Sequence, residues 1–227
     1  MSFVFAPAPQ AALPIRGSSK LFPVRRVYCV GRNYNEHVKE MGGVVGRDPP
    51  FFFSKPADAL ATDGRFPYPP ASADVHHEIE LVVALGPDAT PFGYAVGLDM
   101  TRRDLQAEAK KLGRPWDTAK GFDDSGPVSA LALASEIGHP RAGAITLDVN
   151  GVRRQTGDLA EMIWSVDEII AALGGLFTLL PGDVIFTGTP EGVGMARKPP
   201  RFLAPGDVIV STIEGIGSIT TRLVAGS

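Results

Sequence analysis

Cysteine is almost missing from this sequence. Cys29 is the only one in 227 residues, so an intrachain disulfide and a multi-cysteine zinc site are both excluded. Its setting, Val27-Tyr28-Cys29-Val30, reads as a buried strand in which the thiol is a small apolar core group. Positive charge is not in excess either. The formal net charge is −3, which leaves no basic footprint for a nucleic acid. No apolar run is long enough to span a bilayer: the most apolar window, residues 169–180, is interrupted by Gly174-Gly175 and falls short of the roughly 20 residues required. The start, Met1-Ser2-Phe3-Val4-Phe5-Ala6-Pro7, lacks a basic stretch leading into an apolar one. No signal peptide is therefore expected, and a cytoplasmic protein is. Phosphate-cradling Gly-Lys-Ser/Thr loops, the dinucleotide fingerprint and a Gly-x-Ser-x-Gly nucleophile elbow are also missing.

Glycine and proline, by contrast, are abundant. The 26 glycines and 20 prolines make up roughly a fifth of the chain, against a usual share of about 12%. They are aperiodic, which argues for tight turns between short strands and against a helical bundle. Strands are expected at 26–30, 51–54, 78–85, 94–98, 145–149, 184–187, 208–212 and 217–223. Asn150-Gly151 is a type I′ hairpin signal, and Pro181-Gly182 and Pro205-Gly206 are turns that feed strands. Helices are few. Ser165-Val166-Asp167-Glu168 is a capping box for a helix to about Leu173, and two more are expected at 101–112 and 35–41. Strands that do not alternate regularly with helices predict an α+β fold with a mixed sheet. Residues 1–23 read as an N-terminal arm or small extension.

Four segments carry possible chemistry. In His76-His77-Glu78-Ile79-Glu80-Leu81, strand alternation puts Glu78 and Glu80 on one face. Side-by-side carboxylates repel unless a cation or a proton intervenes. Asp99 closes Gly97-Leu98-Asp99 at a strand end. Three carboxylates without cysteine suit Mg²⁺ or Mn²⁺, although a Glu-x-Glu pair also suits a solvated strand face. In Gly31-Arg32-Asn33-Tyr34-Asn35-Glu36-His37-Val38-Lys39-Glu40, His37 and Glu40 share a helix face, either as a surface pair or as an oriented base. Lys120 lies among aromatic and small residues in Trp116-Asp117-Thr118-Ala119-Lys120-Gly121-Phe122. Thr187-Gly188-Thr189-Pro190-Glu191-Gly192-Val193-Gly194 is a glycine-rich turn whose backbone can approach another group closely.

Taken in order, these segments, together with Phe51-Phe52-Phe53-Ser54-Lys55-Pro56 and Gly97-Leu98-Asp99-Met100-Thr101, resemble the fumarylacetoacetate hydrolase family. The likeness runs from about Val24 to the C-terminus, so 24–227 reads as a single catalytic domain. Its entry, Pro23 to Tyr34, is most similar to the fumarylpyruvate hydrolases of aromatic catabolism. The resemblance implies mixed β-sheets wrapped into a sandwich-like roll, and a homodimer. It implies a divalent metal, Mg²⁺ or Mn²⁺, on Glu78, Glu80 and Asp99, a His37–Glu40 pair on a short lid helix, a catalytic Lys120, and substrate contacts from Arg103, Gln106 and Thr189. Asn35-Glu36 and Val38 depart from the family pattern in the lid.

The implied reaction is hydrolytic cleavage of the C3–C4 bond of a 2,4-dioxo acid, fumarylpyruvate giving fumarate and pyruvate. Oxaloacetate decarboxylation and keto–enol isomerisation use related chemistry and stand as alternatives, since a fold does not fix a substrate. The far carboxylate of such a substrate needs a cation, for which Arg32, Lys55 and Arg114 are the candidates.

Overall fold

The structure is a computed structural model in which residues 2–194 and 201–226 are described. Two larger sheets dominate, with short helices at their ends. The first has six strands in the order Ala132–Leu133, Pro91–Leu98, Ile79–Leu85, Asp183–Phe186, Arg26–Val30 and Phe52–Lys55. It is mixed: Arg26–Val30 runs parallel to Asp183–Phe186, and the other pairings are antiparallel. The second has five strands, ordered Val152–Asp158, Ala144–Val149, Val208–Ile213, Gly217–Val224 and Arg65–Pro67. The fold is α+β.

Ile79–Leu85 is buried along its whole length, which explains why every residue of the run but Glu80 is apolar. Strand alternation divides that run between two cores. Ile79, Leu81, Val83 and Leu85 pack with Ile145, Leu147, Ile209 and Ile213 of the second sheet. Val82 and Ala84 pack on the opposite face with Val27, Cys29, Val184 and Phe186. Each of the larger aliphatic side chains stabilises the fold by about 1.5–3 kcal/mol when fully buried. The hairpin of Ala12–Pro14 with Leu21–Pro23 contributes Leu13 and Phe22 to this second core.

Local signals produce the expected turns and caps. Asn150 and Gly151 have φ of 51° and 75°, the left-handed pair that a type I′ turn needs. The two Pro-Gly turns close alike: the Asp183 amide donates to Leu180 O, the Asp207 amide donates to Ala204 O, and Gly182 and Gly206 take φ of 97° and 95°. The Ser165–Glu168 capping box starts the helix Val166–Gly174. The expected helix at 101–112 begins later, at Arg103, because Thr101–Arg102 pairs as a short strand with Val75–His76. Among the described residues no helix is long and apolar enough to cross a membrane.

Candidate active site

One end of the six-stranded sheet collects the polar residues. Ile79–Leu85 and Pro91–Leu98 are antiparallel, with Glu80 opposite Gly97. The start of the first strand and the end of the second therefore coincide, and Glu78, Glu80 and Asp99 meet there. One oxygen from each lies within 4.8 Å of the others. All three are buried, at 5%, 1% and 1% exposure. Because Arg26–Val30 and Asp183–Phe186 are parallel, the segments that follow them reach this same end. Asn33 locks the two together: its amide donates to Thr187 O and Trp164 O, and its side-chain oxygen accepts the Trp164 amide.

Cations are already paired with two of the carboxylates. Lys120 Nζ lies 2.7 Å from Glu78 Oε2 and 2.6 Å from Asp99 Oδ2. Lys55 Nζ lies 2.8 Å from Asp99 Oδ1, and Arg103 bonds Glu78 Oε1. Burial alone would raise the Glu78 pKa, yet Lys120 and Arg103 hold it well below the usual carboxylate range. Lys120 stays above its ordinary value: Asp99 and Glu78 outweigh its burial.

Among the described residues Glu80 has no such partner. Its Oε2 accepts the Gly188 amide at 2.7 Å. Burial, reinforced by Asp99 and Glu78, pushes its pKa well up, so an uncompensated negative charge there is costly. A backbone donor is available because Gly188 takes φ of 97°, and a Cβ on it would lie 2.7 Å from Asn33 Cβ. Asp99 Oδ1 is buried and meets the Lys55 ammonium at 2.8 Å. An all-carboxylate oxygen set, its atoms within 4.8 Å of one another and one member without a counter-ion among the described residues, fits a hard divalent cation.

His37 and Glu40 lie on the helix Asn35–Glu40. His37 Nδ1 is 3.0 Å from Glu40 Oε2, and both side chains are 7% exposed. The other Glu40 oxygen accepts the Gly192 amide at 2.9 Å, which ties this helix to the glycine-rich turn. His37, Glu78, Glu80, Asp99, Arg103, Gln106, Lys120 and Thr189 line a single cleft, and Glu40 stands behind His37. Arg103 is held in place by His76, whose Nδ1 accepts its Nε–H at 3.2 Å, and by Gln106 Oε1, which accepts from its Nη1 at 2.7 Å. Thr189 Oγ1 accepts from Gln155 Nε2 at 2.8 Å, leaving its own O–H to donate into the cleft.

The three cations expected at the far end of a substrate part company. Arg32 lines the cleft. Lys55 does not serve there: its buried ammonium bonds Asp99 and the Lys120 carbonyl, because the sheet carries it inward beneath the carboxylates. Arg114 stands over a neighbouring groove with Phe51 and Trp116, exposed and 4.0 Å from Glu108.

Gln155 escaped the sequence reading. It is fully buried on a mostly polar strand and bonds His77 Nδ1, the Ile79 amide, Thr189 and Pro190 O. The second sheet thus braces the site through one side chain. Lys110 also lines the cleft and lies outside every motif of the sequence. Its only signal was helical spacing from Arg103 and Gln106.

The chain belongs to the fumarylacetoacetate hydrolase family. The family model "Fumarylacetoacetate (FAA) hydrolase C-terminal" matches residues 26–224. Among solved structures, fumarylpyruvate hydrolase from Pseudomonas aeruginosa, crystallised with Mn²⁺ and pyruvate, is 46% identical. It superposes with a TM-score of 0.93, covering 99% of this chain and all of that one. Among curated proteins, oxaloacetate tautomerase YcgM of Escherichia coli is 43% identical over 216 residues, 89% of this chain and 94% of its own. Human mitochondrial oxaloacetate tautomerase FAHD1 is 40% identical over 210 residues, 88% of this chain and 91% of its own.

Proposed function

We propose that this protein is a metal-dependent hydrolase of 2,4-dioxo acids, with fumarylpyruvate cleaved to fumarate and pyruvate. The observation that carries this reading is the buried His37–Glu40 pair at the carboxylate cluster. Similarity to a fumarylpyruvate hydrolase over the whole chain supports it.

Glu78, Glu80 and Asp99 are proposed to hold Mg²⁺ or Mn²⁺, which when bound supplies Lewis-acid charge for the 2-oxo acid end of the substrate. The Glu40 carboxylate can only accept, so the proton of neutral His37 sits on Nδ1 and Nε2 is left as the base. His37 Nε2 takes a proton from water as the oxygen attacks the C4 carbonyl. Lys120 places positive charge near the oxygen that becomes negative. The C3–C4 bond then breaks, its electrons pass to the pyruvate fragment, and C3 gains a proton. Arg103, Gln106 and Thr189 are proposed to orient the substrate. The chain is expected to act as a homodimer.

Hydrolysis needs a positioned water and a base; tautomerisation needs proton transfer at carbon and no attacking water. Similarity to two oxaloacetate tautomerases favours keto–enol exchange of oxaloacetate as a second reading. Turnover of fumarylpyruvate, acetylpyruvate and oxaloacetate with added Mg²⁺ or Mn²⁺ separates the two. The hydrolase reading expects loss of the acylpyruvate absorbance with release of pyruvate. Oxaloacetate enol–keto exchange, or its decarboxylation, running faster than either acylpyruvate cleavage overturns it.

A further inference from the structure

Two cations reach the cleft without an anion to meet them. Arg32 and Lys110 both line it, and among the described residues neither is paired with a carboxylate. Both are solvent-exposed while the carboxylate cluster is buried, so they stand at the mouth. The deeper cations Lys55, Lys120 and Arg103 are already engaged by Asp99 and Glu78.

Aromatic rings hold the two in position. The Arg32 guanidinium is 5.9 Å from the Phe51 ring centre, and Lys110 Nζ is 5.0 Å from that of Trp116. Phe51 and Trp116 meet edge to face at 5.6 Å. Ring faces attract cations without neutralising them, so both charges remain available. Partial burial, with Arg103, Arg32 and Lys120 adding to it against the opposing pull of Glu78, lowers the Lys110 pKa to about 8. An anion between these groups relieves that repulsion.

We propose that Arg32 and Lys110 form the receptor for a second carboxylate, at the substrate end remote from Glu78, Glu80 and Asp99. The site thereby selects acyl chains that end in a carboxylate over those that end in a methyl group. For the identity of the substrate this rests on the hydrolase reading above; for the receptor itself it does not.

The test compares wild type with Arg32→Gln and Lys110→Gln, each loaded with Mn²⁺ and checked for folding by circular dichroism. The kcat/KM ratio of fumarylpyruvate to acetylpyruvate is expected to fall about tenfold or more in each variant, the worth of one charge-assisted contact. A ratio unchanged in both variants overturns the proposal. Calorimetric titration with fumarate and with crotonate, which carries a methyl group in place of one carboxylate, reads the receptor without turnover. Wild type is expected to prefer fumarate, and the variants to lose that preference. Equal binding of the two acids by wild type overturns it. If wild type cleaves neither acylpyruvate, the hydrolase reading fails, and the titrations alone decide the receptor.

Discussion

Glu80 Oε2 accepts the Gly188 amide at 2.7 Å, whereas Glu78, two residues earlier, is bonded by both Lys120 and Arg103. The same strand end thus carries one satisfied carboxylate and one that still needs a cation. Glu80→Gln keeps an acceptor for Gly188 and removes the charge. It is expected to abolish Mn²⁺ binding by calorimetry and to leave the thermal unfolding of metal-free protein unchanged or slightly higher. Normal Mn²⁺ affinity in this variant removes Glu80 from the metal site.

Lys120 stands between Glu78 and Asp99 and serves as the shared counter-ion of both. Lys120→Met leaves one excess buried negative charge, and breaking a buried pair costs about 3–5 kcal/mol. Denaturant unfolding of metal-free protein should show a loss of that size. Mn²⁺ should restore much of it, since a divalent ion supplies the missing charge. A loss that Mn²⁺ does not touch argues that Lys120 only fills space.

His37→Ala is expected to lower kcat about 10²–10⁴-fold, the usual effect of removing a general base, with Mn²⁺ still bound. Glu40→Gln should also lower kcat. Its amide oxygen can still accept the Nδ1–H, but no negative charge then faces the imidazolium that forms when Nε2 takes a proton. Wild-type turnover by His37→Ala excludes the pair from the reaction.

The Lys110 pKa, near 8, lies below its ordinary 10.5, and the side chain must be charged to bind a carboxylate. Facing it are Arg103, Arg32 and Lys120, which lower the value, and Glu78, which raises it. The preference for fumarylpyruvate over acetylpyruvate is therefore expected in full below pH 8, and to decline as the pH rises through it. Arg32, charged throughout, preserves a remainder. The stability term has the opposite trend: the unfolded chain binds the proton more tightly, so folding gains as the pH rises from about 8 toward 10.5. Selectivity measured from pH 7 to 9.5 should bend in wild type and stay flat in Lys110→Arg. A flat wild-type profile contradicts the assignment.

Elements with strong local chemistry were readable from the sequence. The strand Arg26–Val30, the Asn150-Gly151 turn and the Ser165 cap follow from residues that tolerate little else. Strands such as Ala12–Pro14, Leu21–Pro23 and Arg65–Pro67 did not stand out. Each has three residues, one of them proline, too short to show alternation, and it is their neighbours that make them strands. Val152–Asp158 hid for another reason: it is largely polar, and Gln155 is its one buried residue. In the site, the carboxylates and the His37–Glu40 spacing could be read along the chain. The task of a lysine could not. Lys55, Lys110 and Lys120 are chemically alike, and only folding makes one an anchor for Asp99, one a cleft-mouth cation and one a shared counter-ion.

Cys29 lies in the interior of the six-stranded sheet, fully buried, and burial, aided by Asp99, raises its thiol pKa well above the ordinary value. Thiolate is the species that thiol reagents attack, so the native chain should be inert to them. No other sulfhydryl competes for label. The rate of modification in excess reagent therefore times the opening of this sheet at one position, Cys29. The factor by which Mn²⁺ slows that clock measures how firmly an ion at one end of the strands holds their middle closed.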